Sequence, residues 1–476
     1  MNYKRTHPVL IIEGIQKLVF LLIVPLLRGF ATSVRGGFYS WLSGAWMDVS
    51  VVLVILVLAI LRWWLTRYSF DGKTVALRGG LISFVDKRVP IDEICSVTCE
   101  SPWFYRPFSA TRIRFETLAG TRRRADISLI LPTDRANQIL KLTSQKMNTG
   151  RNELRKTYSP RLFYIMIISA FLSDSFAGAG FAAAFFTKAG SLVSEELKER
   201  MIDTLNSFAR LVWAGIGPVA TAAAVIILGG WLVGFVQNLI RHHNLMLTRD
   251  KNTIEISGGA FTRRTTLVEV DRIDFINIKQ GLFTKILGVY TVFGHCVGVG
   301  KKREDITTFT PAGNRKEIDK SFRLLFPEFE RSKITLRPNK TSVFRFVADP
   351  LWPCIILPAA TAILVRLLPN WKDVILFVGV FAAIPAYWWL IVRIADFLTS
   401  GIGANETSLT LKYSTFLQFN TAIIPWDKIV TIKLRQSLFQ RLDKRCDVFV
   451  YTKGETPYRH RVRSVDIKMA RKLLRI

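Results

Sequence analysis

The residues of this chain that could take part in recognition chemistry come in threes. Phe104 and Arg106, Phe283 and Lys285, and Phe439 and Arg441 each set an aromatic ring two residues before a cation. Such a pair could present a flat apolar face and a charge to a ligand, or it could be a core ring with a cation solvating the rim. Asp92, Asp271 and Asp427 recur in the same way, each between apolar neighbours and an Ile, where an Asp readily caps its own backbone in a turn. Three basic clusters, Arg122-Arg123-Arg124, Lys301-Lys302-Arg303 and Arg459 through Arg463, suit an anionic membrane surface and equally suit a purely topogenic role. Asp174 stands alone among apolar and small residues, where an ionisable group is costly enough to mark a functional candidate.

Catalytic constellations are missing from this inventory. No HExxH, GxSxG or phosphate-binding GxxxxGK[ST] occurs, and His242-His243 and His295-Cys296 lack metal-ligand spacing. The five Cys form no CxxC pair, which argues against a zinc site or a disulfide framework. The expectation is a protein that is not an enzyme and holds no cofactor or metal. The net charge of +30 is split evenly along the chain with no nucleic-acid motif beside it, so nucleic acid is not an expected partner.

The elements that must position these residues follow from hydropathy. With 50 % hydrophobic residues and 21 % charged residues in 476, the chain needs both a membrane phase and an aqueous one. Apolar runs at Val9 to Leu27, Asp48 to Leu65, Leu162 to Phe186, Leu211 to Ile240, Leu351 to Leu368 and Val374 to Ala395 predict six spans in three hairpins. Glu13 and Lys17 interrupt the first run, which therefore reads as a retained helix and not a cleaved signal; one turn apart, they could pair with each other. Residues 66–160 hold 17 Lys/Arg against 9 Asp/Glu, residues 241–350 hold 20 against 12, and residues 396–476 hold 15 against 7. Each is an excess of eight cations, so all three segments and both termini are expected in the cytoplasm. Residues 187–210 read as an outward-facing amphipathic insertion.

The aqueous segments repeat. Residues 74–94 superpose without a gap on 253–273 at an offset of 179, bringing Gly79-Gly80 onto Gly258-Gly259 and Asp92 onto Asp271. At an offset of 335, residues 408–429 place Pro425 on Pro90 and Asp427 on Asp92, with Tyr413-Ser414 where the other copies have their Gly pair. Period-two alternation in each copy predicts antiparallel β structure, and the Gly pairs supply the positive φ of a tight turn. Each copy closes in a predicted helix, started at Thr133-Asp134, at Asn314 and at Ser464.

Two helices, a hydrophobic-x-hydrophobic strand, a Gly pair and Pro90-Ile91-Asp92-Glu93-Ile94 together resemble the bacterial membrane-flanked pleckstrin-homology-like (bPH2) domain family, in its members built of three such units. Copy two departs from the pattern with Glu269 in place of the Pro, and copy three lacks the Gly pair. The resemblance implies a β-sandwich of about seven strands capped by a C-terminal helix, repeated three times in a bacterial inner-membrane protein. The expected fold is thus six membrane spans in α-helical hairpins plus three cytoplasmic PH-like β-sandwich domains. Hairpins are placed at 1–65, 160–240 and 348–395, and PH-like domains at 66–159, 241–347 and 396–476. The expectation is a binding or scaffold protein, with membrane lipids as partners of the basic clusters; the resemblance further implies a smaller PH-like relative as partner and a part in defence against membrane-active antimicrobial peptides. The alternative is a transporter or exporter component using the six spans and Asp174, with Pro218, Pro358 and Pro385 interrupting helices along a polar path.

Overall fold

The computed structural model describes residues 3–15, 37–81, 83–117, 126–147, 155–172, 218–296, 307–453 and 458–476. Asp174, Lys17, the Arg122 and Lys301 clusters and the insertion at 187–210 lie outside them. The chain divides into two compact units, one of Met1–Thr157 with Asn244–Arg272 and Val297–Asp305, the other of Tyr158–His243, Ile273–Cys296 and Ile306–Ile476.

In the first unit β1 (Lys4–Arg5), helix α1 (Gly37–Leu65), β2 (Arg67–Phe70), β3 (Thr74–Gly79) and β4 (Val85–Pro90) lead into a single 3-10 turn at Ile91–Glu93. Strands β1-β2-β3-β4 form an antiparallel sheet. At the β3–β4 turn Gly80 has φ +143°, and a Cβ there would collide with the backbone of Ser83, so no other residue fits. Strands β5 (Ile94–Pro102), β6 (Ala110–Thr117) and β7 (Ile127–Pro132) follow, then helix α2 (Thr133–Met147). Val75, Ile91, Ile94, Val97, Ile113, Phe115, Ile127, Leu129 and Leu131 close one core with Ala136, Ile139 and Met147 of α2. This is a sandwich of two sheets under a C-terminal helix.

The second sheet does not stop at β5. Short β8 (Lys156–Tyr158) and strands β9 (Met246–Asp250), β10 (Thr253–Gly258) and β11 (Thr262–Glu269) complete a seven-stranded sheet in the order β7-β6-β5-β11-β10-β9-β8. The first strands of repeat two are thus hydrogen-bonded to the last strands of repeat one.

The second unit opens with α3 (Leu162–Leu172) and α4 (Pro218–Arg241), joined where Trp231 Nε1 donates to the Ala170 carbonyl at 2.8 Å. Strand β12 (Ile273–Gly281), the short helix α5 (Leu282–Ile286), β13 (Val289–Cys296), β14 (Thr307–Asn314) and α6 (Arg315–Leu325) come next. Helices α7 (Val343–Leu367) and α8 (Lys372–Thr399) then form a hairpin that leads into β15 (Gly401–Ala404), β16 (Ser408–Thr415) and β17 (Gln418–Pro425). The strand order β14-β13-β12-β17-β16-β15 fuses repeats two and three in the same way. The chain ends with β18 (Ile429–Arg435), α9 (Leu438–Leu442), β19 (Arg445–Thr452), β20 (Tyr458–Asp466) and α10 (Ile467–Leu474), the three strands in the order β18-β19-β20. Leu409, Leu411, Tyr413 and Ile424 pack on Cys446, Val448, Val450, Val462 and Val465 under Ala470 and Leu474 of α10.

Asp92, Asp271 and Asp427 each sit in the 3-10 turn that passes the chain from one sheet to the next. Gly259 repeats the positive φ of Gly80 at +100°, whereas repeat three turns through Phe416 at φ +46°. Asn314 caps α6 as expected, its side chain accepting from the Arg315 N–H at 2.6 Å. For α10 the cap is Asp466, which accepts from the Met469 N–H, and not Ser464, which lies within β20 at φ +52°.

The expectation of six spans is overturned. Among the described residues two helices are long and apolar enough to cross a bilayer, Val343–Leu367 and Val374–Thr399, with mean hydropathy 1.7 and 2.2. Their apolar side chains, Trp352, Ile355, Ile363, Val378 and Val380 among them, lie exposed as a lipid-facing surface requires. Helix α1 runs 29 residues, Gly37–Leu65, and its last turns expose Leu53, Val54, Val57 and Leu61. The supposed first span starts on protein: Val9 is buried against Tyr105, Ala110 and Ile130, and Glu13 is ion-paired to Arg112.

Candidate functional site

The tandem pairing of the repeats is the most regular feature of the molecule. In the first junction β5 runs antiparallel to β11, with Val97 opposite Leu267, Thr98 opposite Thr266 and Glu100 opposite Arg264. In the second, β12 pairs with β17, with Ile276 opposite Ile423, Asn277 opposite Ala422 and Lys279 opposite Asn420. Brought into one numbering by the offsets of 179 and 335, the two junctions have an identical register. One face of each pair is apolar and turned to a core; the other carries the polar partners. Thr98 donates to Thr266 at 3.3 Å and Glu100 faces Arg264 at 3.4 Å in the first, while Asn277 Nδ2 donates to Asn420 Oδ1 at 3.0 Å in the second.

The aromatic-cation triplets belong to these junctions. Each occupies one helical turn between the first two strands of a second sheet: Trp103–Phe108, α5 and α9. Arg106 Nη2 donates to the Ala260 carbonyl at 2.8 Å and so grips the β10–β11 turn of the next repeat. Lys285 lies 3.5 Å from the centre of the Phe419 ring, again in the hairpin of the next repeat, and Nζ donates to Thr399 Oγ1 at 3.3 Å. Burial draws the Lys285 ammonium below its ordinary pKa. Phe104 packs beside Tyr105, and Phe283 meets Trp388 edge-on at 4.5 Å. Burial lifts the Tyr105 phenol to about 12, so it stays protonated as it donates to Glu13 at 3.1 Å and accepts from Arg112. Arg106 belongs to the first unit and Lys285 to the second, each closing one junction.

The third copy differs. Leu438, Phe439 and Leu442 stand 78, 72 and 82 % exposed. Phe439 and Arg441 have no ring, ion-pair or side-chain hydrogen-bond partner among the described residues.

A groove of about 810 Å³ crosses the first junction beneath α2. Lys141, Arg155, Lys251 and Arg263 line it against Asp250 and Glu255, and hydroxyls run along its floor from Ser101 through Thr111 to Thr133 at 2.7 and 3.0 Å. Cys99 also lines it, its thiol raised to about 12 by burial, which leaves no thiolate to act as a nucleophile. Sequence reasoning missed this groove because its walls come from two repeats, and only the register of β5 on β11 brings them together.

The third module is fixed to the α7–α8 hairpin by polar bonds. Arg345 pairs with Asp443 at 2.7 Å and Arg463 with Asp349 at 2.6 Å; Ser464 Oγ donates to Ser342 Oγ at 2.8 Å, and Arg445 bonds Ser342 and Thr341. Arg461 pairs with Asp447 at 2.7 Å. Two members of the Arg459 to Arg463 cluster therefore have structural carboxylate partners.

Comparison with known proteins agrees with this architecture. The chain is 22 % identical over 467 residues to the UPF0699 transmembrane protein YdbT of Bacillus subtilis (strain 168), which takes in 92 % of this chain and 90 % of the relative. No solved structure matches it. Three segments, 11–147, 203–305 and 355–476, match the bacterial PH domain, one for each repeat. Three PH-like units linked strand to strand, carried with an apolar two-helix hairpin, make this chain a membrane-associated member of the bacterial PH domain family.

Proposed function

We propose that the chain is a non-enzymatic scaffold of the bacterial inner membrane that holds its PH-like modules at the cytoplasmic face for recognition. The observation that carries this reading is the mounting of the third module. Arg345, Arg445, Arg463 and Ser464 tie its strands to the entry of α7, so the module is held at a fixed attitude to the hairpin. A display role benefits from such a mount. The excess of eight cations in each aqueous segment favours the cytoplasmic side and an anionic lipid surface. A two-helix hairpin returns the chain to the side from which it entered, which keeps both flanks in one compartment. The partners proposed are anionic membrane lipids and a smaller PH-like membrane protein, and the physiological setting is protection against membrane-active antimicrobial peptides.

Crosslinking in native membranes tests the reading, comparing wild type with a Phe439→Ala/Arg441→Ala variant. The expected result is a defined membrane protein recovered with wild type and lost with the variant, both chains being equally abundant in the membrane. Cells lacking the chain should also be more sensitive to a cationic membrane-active peptide. Equal recovery with both chains, or none, together with unchanged sensitivity, would reject the scaffold role.

A further inference from the structure

Two of the three second sheets are completed by a hairpin from the next repeat, and the third is not. Strand β18 is the edge of its sheet, and no described strand lies beyond it. It is equivalent to β5 and β12, with Ile432 and Leu434 at the positions of Val97 and Cys99 in the first junction and Ile276 and Ile278 in the second. Both side chains turn to the core of the third module and remain half-buried, whereas Val97 and Ile276 are fully buried under an incoming strand. Lys433 and Arg435 alternate with them on the outer face and are exposed.

We propose that the free edge of β18 docks a β-hairpin of another polypeptide, its strand apolar opposite Ile432 and acidic opposite Lys433 and Arg435. The inference rests on the recognition role proposed above and names the kind of partner. Continuity with the two internal junctions supplies the backbone geometry, since both use one register. Charge supplies the chemistry. At the position of Arg435 the first junction carries Glu100, answered across the strand by Arg264; with the sign reversed at Arg435, the answering residue is a carboxylate. The turn that follows, which in both other repeats sends a cation to the incoming hairpin, here leaves Arg441 and three large apolar side chains waiting.

A second copy of this chain does not fit. Its own unpaired first-sheet edge is β4, which in the same register would put Lys87 opposite Lys433 and Arg88 opposite the core-facing Ile432. Charged edges of that kind discourage self-pairing. The occupant is therefore a different chain.

The test uses the full chain in phosphatidylcholine nanodiscs and a labelled hairpin peptide copied from Ser408–Pro425, closed by added terminal cysteines, with Asn420→Glu and Ala422→Glu at the positions facing Arg435 and Lys433. Saturable binding of this peptide is expected, weakened about tenfold or more by Lys433→Glu/Arg435→Glu. A companion peptide with Asn420→Lys and Ala422→Lys should show the opposite preference, binding the reversed variant and not wild type. That exchange also shows the variant to be folded. Failure of the Glu peptide to bind wild type, failure of the Lys peptide to bind the reversed variant, or binding indifferent to the reversal, overturns the proposal and leaves β18 as an edge closed by its own charges. Quenching of a Phe439→Trp reporter by brominated lipid without any peptide overturns it too, because the apolar turn would then be a membrane contact. Loss of hairpin binding with crosslinked partner recovery intact would remove this edge as the site and leave the scaffold role standing.

Discussion

The first and second junctions share a backbone register and almost no chemistry. Between β5 and β11 the outer face is held by a hydroxyl pair and an ion pair; between β12 and β17 it is held by two buried amides. Arg106 closes the first by a hydrogen bond to a carbonyl, Lys285 the second by sitting on an aromatic ring. What is constant is the apolar inner row, Val97 with Leu267 and Ile276 with Ile423. The strand ladder and this row determine the geometry, and the polar contacts are interchangeable solutions to satisfying the outer face. Strand β18 carries the same inner row without a cover.

The largest effect expected from breaking this comparison is at the inner row. Ile276→Ala, at a fully buried position, should lower stability by about 2–5 kcal/mol, whereas Ile432→Ala at the same place on the open edge should cost about 1 kcal/mol. Denaturant unfolding of the detergent-solubilised chain measures both, and equal losses would mean that the two edges are not in different states. Next comes the amide pair. Asn420→Ala leaves the buried Asn277 side chain without its partner and should cost about 1–3 kcal/mol, more than Thr266→Ala in the first junction.

A third prediction concerns pH. His460 is buried beside Phe275, Tyr458 and His295, with Nδ1 bonded to the Tyr413 hydroxyl at 2.9 Å, and burial lowers its pKa to about 3. The unfolded chain therefore binds this proton first. Stability from this group is complete above the ordinary histidine pKa of 6.5 and falls as pH drops from there toward 3, by at most about 1.4 kcal/mol per pH unit. Melting temperatures between pH 7 and 4.5 should decline for wild type and decline less for His460→Phe. The smallest effect is the half-buried charge pair. A double-mutant cycle on Glu100 and Arg264 should return about 0.2–1 kcal/mol, diminishing with salt.

The repeat, its offsets and the β character of each copy were legible because strand alternation, the Gly pairs and the Pro-Ile-Asp-Glu-Ile turn are local signals. Gly80 and Gly259 do adopt positive φ, and the recurrent Asp residues do lie in turns. The hairpin of α7 and α8 was legible from hydropathy alone. Hydropathy also overcounted spans, since apolar runs such as Val9 onward are equally suited to packing on a protein surface, and only Tyr105, Ala110 and Ile130 reveal that surface. Helix ends read from single residues went one way at Asn314 and the other at Ser464, where Asp466 two residues later makes the cap.

What the sequence determined by itself is the unit: its period, its β strands, its closing helix and its affinity for a membrane, all fixed by contacts within about twenty residues. What only the tertiary structure decided is how the units join. The register of β5 on β11 and of β12 on β17 pairs residues more than a hundred positions apart, and nothing local says whether an edge strand stays open or is completed by a neighbour. Hence the triplet that reads as three equivalent sites is, in the folded chain, two closed junctions and one open end.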